Sequence, residues 1–226
     1  MLYRHATIIA IILVAACVFA VELSRGTDFA ETAGAIPVTI ADATRQLVDG
    51  NLSYAAARQL SRLFTAIFLH GGPEHLVYNM VFLWTFGFLT SQLLGQWWAL
   101  AIFVLCGIAG NILQVCLNLN SPAPIIGASG GISGLAGTYL GLALRWQLPW
   151  PDVWPLAHPI PPMQLGLFAV LGFIGDVYLL ANHAQHQVAY GAHIGGFLCG
   201  FTIATLITTV YPTTARFERR WDTSRR

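Results

Sequence analysis

The 226-residue chain is 56% hydrophobic and only 9% charged, against roughly 25% charged residues in soluble domains. That composition excludes a soluble globular protein and implies an integral membrane one. The net charge of +1 conceals an asymmetry, because Arg216, Arg219, Arg220, Arg225 and Arg226 crowd the C-terminal end against only Glu218 and Asp222. Topology alone explains basic residues beside a spanning helix, so no nucleic-acid partner is implied.

In chain order, apolar runs close to the roughly 20 residues that a bilayer core requires fall at about 6–22, 76–95, 98–117, 128–146, 163–181 and 191–211. They predict an all-α, polytopic bundle of six transmembrane helices with a long outer loop between helices 1 and 2. The first run follows Arg4, and Val14-Ala15-Ala16-Cys17 within it has a rival reading as a cleavable lipoprotein signal. Residues 23–74 mix acids, arginines and apolar residues; Leu60 to Leu69 is apolar enough for the membrane interface, with Arg58 and Arg62 holding that segment. The link from Ser91 to Gln96 is short enough to force an antiparallel hairpin. Between Gln147 and Pro162 the chain is rich in Pro and Trp, which suits an irregular segment anchored at the interface by aromatic rings.

The positive-inside bias places the basic tail, residues 213–226, in the cytoplasm, and six spans then put the N-terminus there too. A single domain over 1–212 is the economical reading. The absence of lysine and the basic tail point to a bacterial inner membrane. Cys17, Cys106, Cys116 and Cys199 lie in apolar runs without CxxC spacing, so neither a disulfide framework nor a zinc site is expected.

Spans two, four and six all run from the outer face inward, which lets their polar residues be compared by depth. His75 stands at the start of span two with Asn79 one turn further in, Ser129 opens span four within Gly127-Ala128-Ser129-Gly130, and His193 lies just inside span six. At the helical rise per residue all four fall within roughly 10 Å of the outer boundary. His75 and Asn79, four apart, share a helical face. His70 is separated from them by Gly71-Gly72-Pro73, a helix break, and is assigned a structural or gating role.

Glycines at small-xxx-small spacing, Gly130/Gly134 and Gly137/Gly141 in span four, Gly191/Gly195 and Gly196/Gly200 in span six, allow the two backbones to approach closely in lipid. Such packing would bring the Ser129 hydroxyl within about 3 Å of His193. A serine attacks a carbonyl poorly unless a base takes its proton, and imidazole suits that task near neutral pH. Ser129 is therefore the candidate nucleophile and His193 the candidate base. The backbone N–H of Ser129 and the side chains of Asn79 and His75 are candidate oxyanion donors. No carboxylate is evidently placed to orient His193, which predicts a dyad. Asp176 in span five is compatible with wetting, a bond to a neighbouring helix or gating, and is given no catalytic role. His183 and His186 fall in an outer loop, where solvation is expected in place of metal binding.

These motifs resemble the rhomboid family of intramembrane serine proteases. Arg62-Leu63-Phe64-Thr65 and His70-Gly71-Gly72-Pro73-Glu74-His75-Leu76-Val77-Tyr78-Asn79-Met80 look like the family's approach to its second helix, Gly127-Ala128-Ser129-Gly130 like its nucleophile motif, and Ala192-His193-Ile194-Gly195-Gly196 like its histidine segment. The resemblance covers about residues 60–205. It implies a six-helix, rhomboid-like bundle that cleaves transmembrane protein substrates near the outer face with Ser129 and His193, aided by His75 and Asn79, and it implies no metal or cofactor. Two positions depart from the pattern. Ser61 stands where the family often has Trp before its loop arginine, and Ser133 where an aromatic ring often stacks on the histidine, which leaves His193 less constrained. A catalytically inactive relative that binds membrane clients is the alternative function. A transporter would need charged residues or broken helices at the midplane, and the sequence lacks a convincing set.

Overall fold

A computed structural model of the chain describes residues 5–26, 28–151, 153, 160–182 and 188–211. The basic tail, Arg4, His183 and His186 therefore lie outside the described residues, as does part of the Pro/Trp-rich link. The described elements are helices α1 (Ala6–Arg25), α2 (Asp28–Ala33), α3 (Pro37–Val48), α4 (Tyr54–Thr65), α5 (Pro73–Phe82), α6 (Phe88–Leu94), α7 (Gln96–Leu117), α8 (Ser129–Ala143), α9 (Pro162–Ala181) and α10 (Tyr190–Val210). A π-helical turn over Leu83–Gly87 joins α5 to α6 into one continuous rod. The result is a helical membrane bundle with an isolated β-bridge between Ala35 and Ile125.

Among the described residues, five rods are long and apolar enough to cross a bilayer: Ala6–Arg25, Pro73–Leu94, Gln96–Leu117, Pro162–Ala181 and Tyr190–Val210. The remaining expected span, the fourth, is α8, which has only 15 residues, short of the roughly 20 that span a hydrocarbon core. Its composition explains its place. Twelve of those residues, from Gly130 to Leu142 with Ser133 excepted, are buried, so α8 is enclosed by protein. It packs between α7 and α10 around Leu135, Tyr139 and Leu142, each at most 1% exposed. Ile8 and Ile11 of α1 join the same core, so the first helix is packed into the bundle.

Between α8 and α10 the glycine faces close at Gly130/Gly134, Gly137/Gly141 and Gly196/Gly200, whereas Gly191 and Gly195, expected in the same face, lie against Gln114 and Leu117 and against Gly110 and Leu113 of α7. A Cβ on Gly196 would strike the Gly130 carbonyl oxygen, one on Gly200 that of Gly134, and one on Gly137 that of Phe197. The Thr138 hydroxyl adds a polar tie, 2.9 Å from its own Gly134 carbonyl and 3.1 Å from that of Gly200 across the contact. Such hydroxyl bonds are a common device where lipid supplies no hydrophobic drive for helix association.

The hairpin at Ser91 to Gln96 is tighter than its six residues suggest. Gly95 alone links α6 to α7, at φ 99°, a conformation that residues with a Cβ adopt at a steric cost. The segment over 23–74, expected as a mixed loop, instead folds into α2, α3 and α4. Ser53 starts α4 by accepting a hydrogen bond from the Ala56 N–H at 3.1 Å, the usual reason for serine at an N-cap. Arg62 donates to the Gly34 carbonyl at 3.3 Å and Asn111 of α7 donates to that of Leu63 at 2.8 Å. Arg62 thus holds the segment as the sequence suggests. The Gly127 N–H donates to the Ala66 carbonyl at 3.0 Å, so the same segment fixes the chain just before α8.

Candidate active site

Ser129 is the first residue of α8 and His193 lies in the first turn of α10. The backbone contacts made possible by Gly130, Gly134, Gly196 and Gly200 bring these helix ends together, and His193 Nε2 sits 2.8 Å from Ser129 Oγ. At the start of a helix the first N–H groups have no intrahelical acceptor, which leaves the backbone around Ser129 offering donors with a positive dipole end.

Gly127 shapes the other wall. Its φ is 121°, and a Cβ there would lie 2.9 Å from both Cε1 and Nε2 of His75 and 3.7 Å from Ser129 Oγ. His75 therefore borders the serine across the Gly127 backbone. Its Nδ1 lies 3.3 Å from the Gly71 N–H, which donates to it. Asn79 is buried and donates from Nδ2 to the His75 carbonyl at 2.8 Å; one amide hydrogen is used inside its own helix and the second remains to be offered. Ser129 and His193 are thus in direct contact with His75 beside them, and Asn79 is tied to this group through the His75 carbonyl. Substituting Gly127 by Ala both strains the backbone and displaces His75. We expect a loss of stability of about 1–3 kcal/mol with a larger loss of any Ser129-dependent activity, read by thermal unfolding and by covalent labelling of the serine.

His70 is 1% exposed and its ring meets that of His75 edge-on with centroids 5.2 Å apart. Burial, followed by the neighbouring His75, pushes it down to about 4, against the opposing effect of its bond to the Phe68 carbonyl. It is thus a neutral packing residue near pH 7, in keeping with a structural role. Both oxygens of Glu22, at the end of α1, accept from the His70 backbone N–H at 3.1 and 3.2 Å. Helix α5 starts at Pro73, so His75 stands in its first turn.

Two expectations about His193 are corrected. A carboxylate does face it: Asp176 Oδ1 of α9 lies 3.1 Å from His193 Nδ1. The histidine also has an aromatic neighbour despite Ser133, because Tyr190, one turn earlier on α10, meets it edge-on at 6.2 Å and 85°. His193 is therefore held from three sides, not loosely. The Tyr190 contact was available in the i, i+3 spacing. Asp176 matched His193 in depth, but depth says nothing of which way a helix is rotated. Among the described residues no cluster of His, Cys, Asp and Glu suited to a metal ion occurs.

The site thus has a serine in hydrogen-bond contact with a histidine at a helix start, with a second histidine beside it. The Rhomboid domain family model matches residues 57–209. The chain is 32% identical over 146 residues to Rhomboid protease GluP of Bacillus subtilis (strain 168), covering 65% of this chain and 26% of that protein. It is 30% identical over 147 residues to RHOMBOID-like protein 5 of Arabidopsis thaliana, covering 65% and 43%. With Inactive rhomboid protein 1 of Drosophila melanogaster it shares 24% identity over 169 residues, covering 75% and 11%. In each case the match spans less than half the length of the curated relative. Residues 57–209 contain the whole of α5 through α9 and nearly all of α10, and with them Ser129, His193, His75 and Asn79: the chain belongs to the rhomboid family.

Proposed function

We propose that the chain is an intramembrane serine endopeptidase that cleaves transmembrane segments of membrane proteins near the outer face. The observation that carries this reading is the 2.8 Å contact between His193 Nε2 and Ser129 Oγ, with Ser129 at a helix N-terminus. As Oγ bonds to the scissile carbonyl carbon, the carbonyl π pair moves onto its oxygen and the hydroxyl proton passes to His193 Nε2. The Ser129 N–H, Asn79 and His75 stabilise the oxyanion. When the C–N bond breaks, His193 returns the proton to the leaving amine, and water attacks the acyl-enzyme by the same route. A helix keeps its carbonyls hydrogen-bonded, so substrates whose helix tops unwind readily are favoured. Both termini are cytoplasmic in this reading, in a bacterial inner membrane, and residues 1–212 act as one domain with no metal or cofactor.

The test is cleavage of a transmembrane reporter by the purified chain in proteoliposomes, with fluorophosphonate labelling of the serine in parallel. Cleavage and labelling at Ser129 are expected. A wild type that neither cleaves varied reporters nor takes up the label overturns the protease reading and favours the alternative, an inactive client-binding relative. Within the protease reading, Asn79→Ala lowers kcat by up to about 10²-fold with little change in KM. The loss is at the low end for an oxyanion donor because Asn79 already spends one hydrogen on His75.

A further inference from the structure

Resting on Ser129 and His193 as nucleophile and base, we propose that Asp176 is the positioning residue of that base, making the site a triad whose third member comes from α9. The geometry is that of an orienting carboxylate: Asp176 Oδ1 is 3.1 Å from Nδ1, on the opposite side of the imidazole from the 2.8 Å contact of Nε2 with Ser129. A carboxylate accepting from Nδ1–H leaves Nε2 unprotonated toward the serine, the tautomer that a base requires. The proton taken from Ser129 stays on the imidazole, and Asp176 does not receive it.

A second contact sets this pair in register. Phe173 of α9 stacks on Phe197 of α10 with ring centroids 4.6 Å apart and planes 25° from parallel. Phe173 and Asp176 are three apart, and His193 and Phe197 four, so each pair shares a face of its helix. The aromatic stack therefore aligns Asp176 with His193 one turn nearer the outer surface. Side-chain exposures of 18% for His193 and 22% for Asp176 leave the pair mostly enclosed by protein. Helix α9 is otherwise the most weakly held rod: 17% of its apolar stretch is buried, against 33–56% in the other four. Orientation of the base thus depends on how this one helix is docked.

The experiment compares wild type, Asp176→Asn, Asp176→Ala and Asp176→Glu in proteoliposomes for kcat, KM and thermal stability. It also reads the His193 tautomer by 15N NMR of histidine-labelled protein, with the signal assigned by its loss in His193→Gln. Asp176→Asn is expected to lower kcat by about 10- to 100-fold with KM within twofold. The effect stays short of the roughly 10⁴-fold seen when a buried triad loses its carboxylate, because Asp176 is only partly buried. Nδ1–H dominates in wild type and Nε2–H gains in the Asn and Ala variants, while Glu restores part of the rate. An active wild type with kcat unchanged in Asp176→Asn, or with the tautomer unmoved, overturns this proposal alone. Loss of stability with the tautomer unmoved also overturns it, since that is the signature of a mere interhelical tie. An inert wild type overturns the protease reading and this inference with it.

Discussion

In the proposed protease, Ser129→Ala and His193→Ala are each expected to lower cleavage of a transmembrane reporter by roughly 10⁴-fold or more, with the double variant no slower than either single one. The first part follows from the chemistry. Without Oγ there is no acyl-enzyme, and without His193 the hydroxyl proton has no acceptor at the 2.8 Å position now occupied by Nε2. The second part follows from the two acting as one unit, for which knocking out one member costs about as much as knocking out all. Ser129→Ala removes one partly buried hydrogen bond and changes stability by about 1 kcal/mol, whereas His193→Ala removes two, to Ser129 and Asp176, and costs more. Thermal unfolding and reporter cleavage on the same preparations separate the two effects. If the double variant loses the product of the single losses, Ser129 and His193 contribute independently and the nucleophile-base pairing is wrong. If His193→Ala cleaves as well as wild type, another group takes the proton.

Ser129, His193, His75 and Asn79 are legible in the sequence as one layer, because depth in a bilayer follows from counting residues from a helix end. Helix–helix approach is legible for the same kind of reason: glycines four apart leave a flat face whatever the partner. Rotation about the helix axis is not legible. Asp176 is therefore compatible with several environments in the sequence, and the Phe173–Phe197 stack and the Asp176–His193 contact reveal which way α9 turns. Helix α8 exposes a second limit. Apolar runs mark what can lie in lipid, but a helix enclosed by its neighbours need not match the bilayer thickness, and 15 residues suffice for it. The long stretch 23–74 lacks a long apolar run, and its three short helices are held by ties the sequence does not announce, such as Arg62 to the Gly34 carbonyl and Ala35 bridged to Ile125.

Gly200→Val is expected to be the most damaging single change away from the reacting atoms, and Gly172→Ala among the least. A Cβ at Gly200 would meet the carbonyl oxygen, carbon and Cα of Gly134. All three are backbone atoms of the buried helix α8, so no side chain can swing aside and the two helices must separate. Overpacking of a close-packed core costs about 1–3 kcal/mol and more where backbone must move; Val adds two methyl groups beyond that Cβ. Separation also stretches the Thr138 contact to the Gly200 carbonyl and opens the gap between the ends that carry Ser129 and His193. Activity should therefore fall further than stability. Gly172 is the matched control, a helical glycine in α9 where an added Cβ would meet nothing within 4 Å. Replacing it with Ala removes the helix penalty of glycine, about 1 kcal/mol at most, so the midpoint of unfolding holds or rises and cleavage is retained. Unfolding midpoints and reporter cleavage measured side by side check the pair. Equal tolerance at both positions would mean that α8 and α10 are not in backbone contact, and would remove the physical basis for the serine and histidine meeting at all.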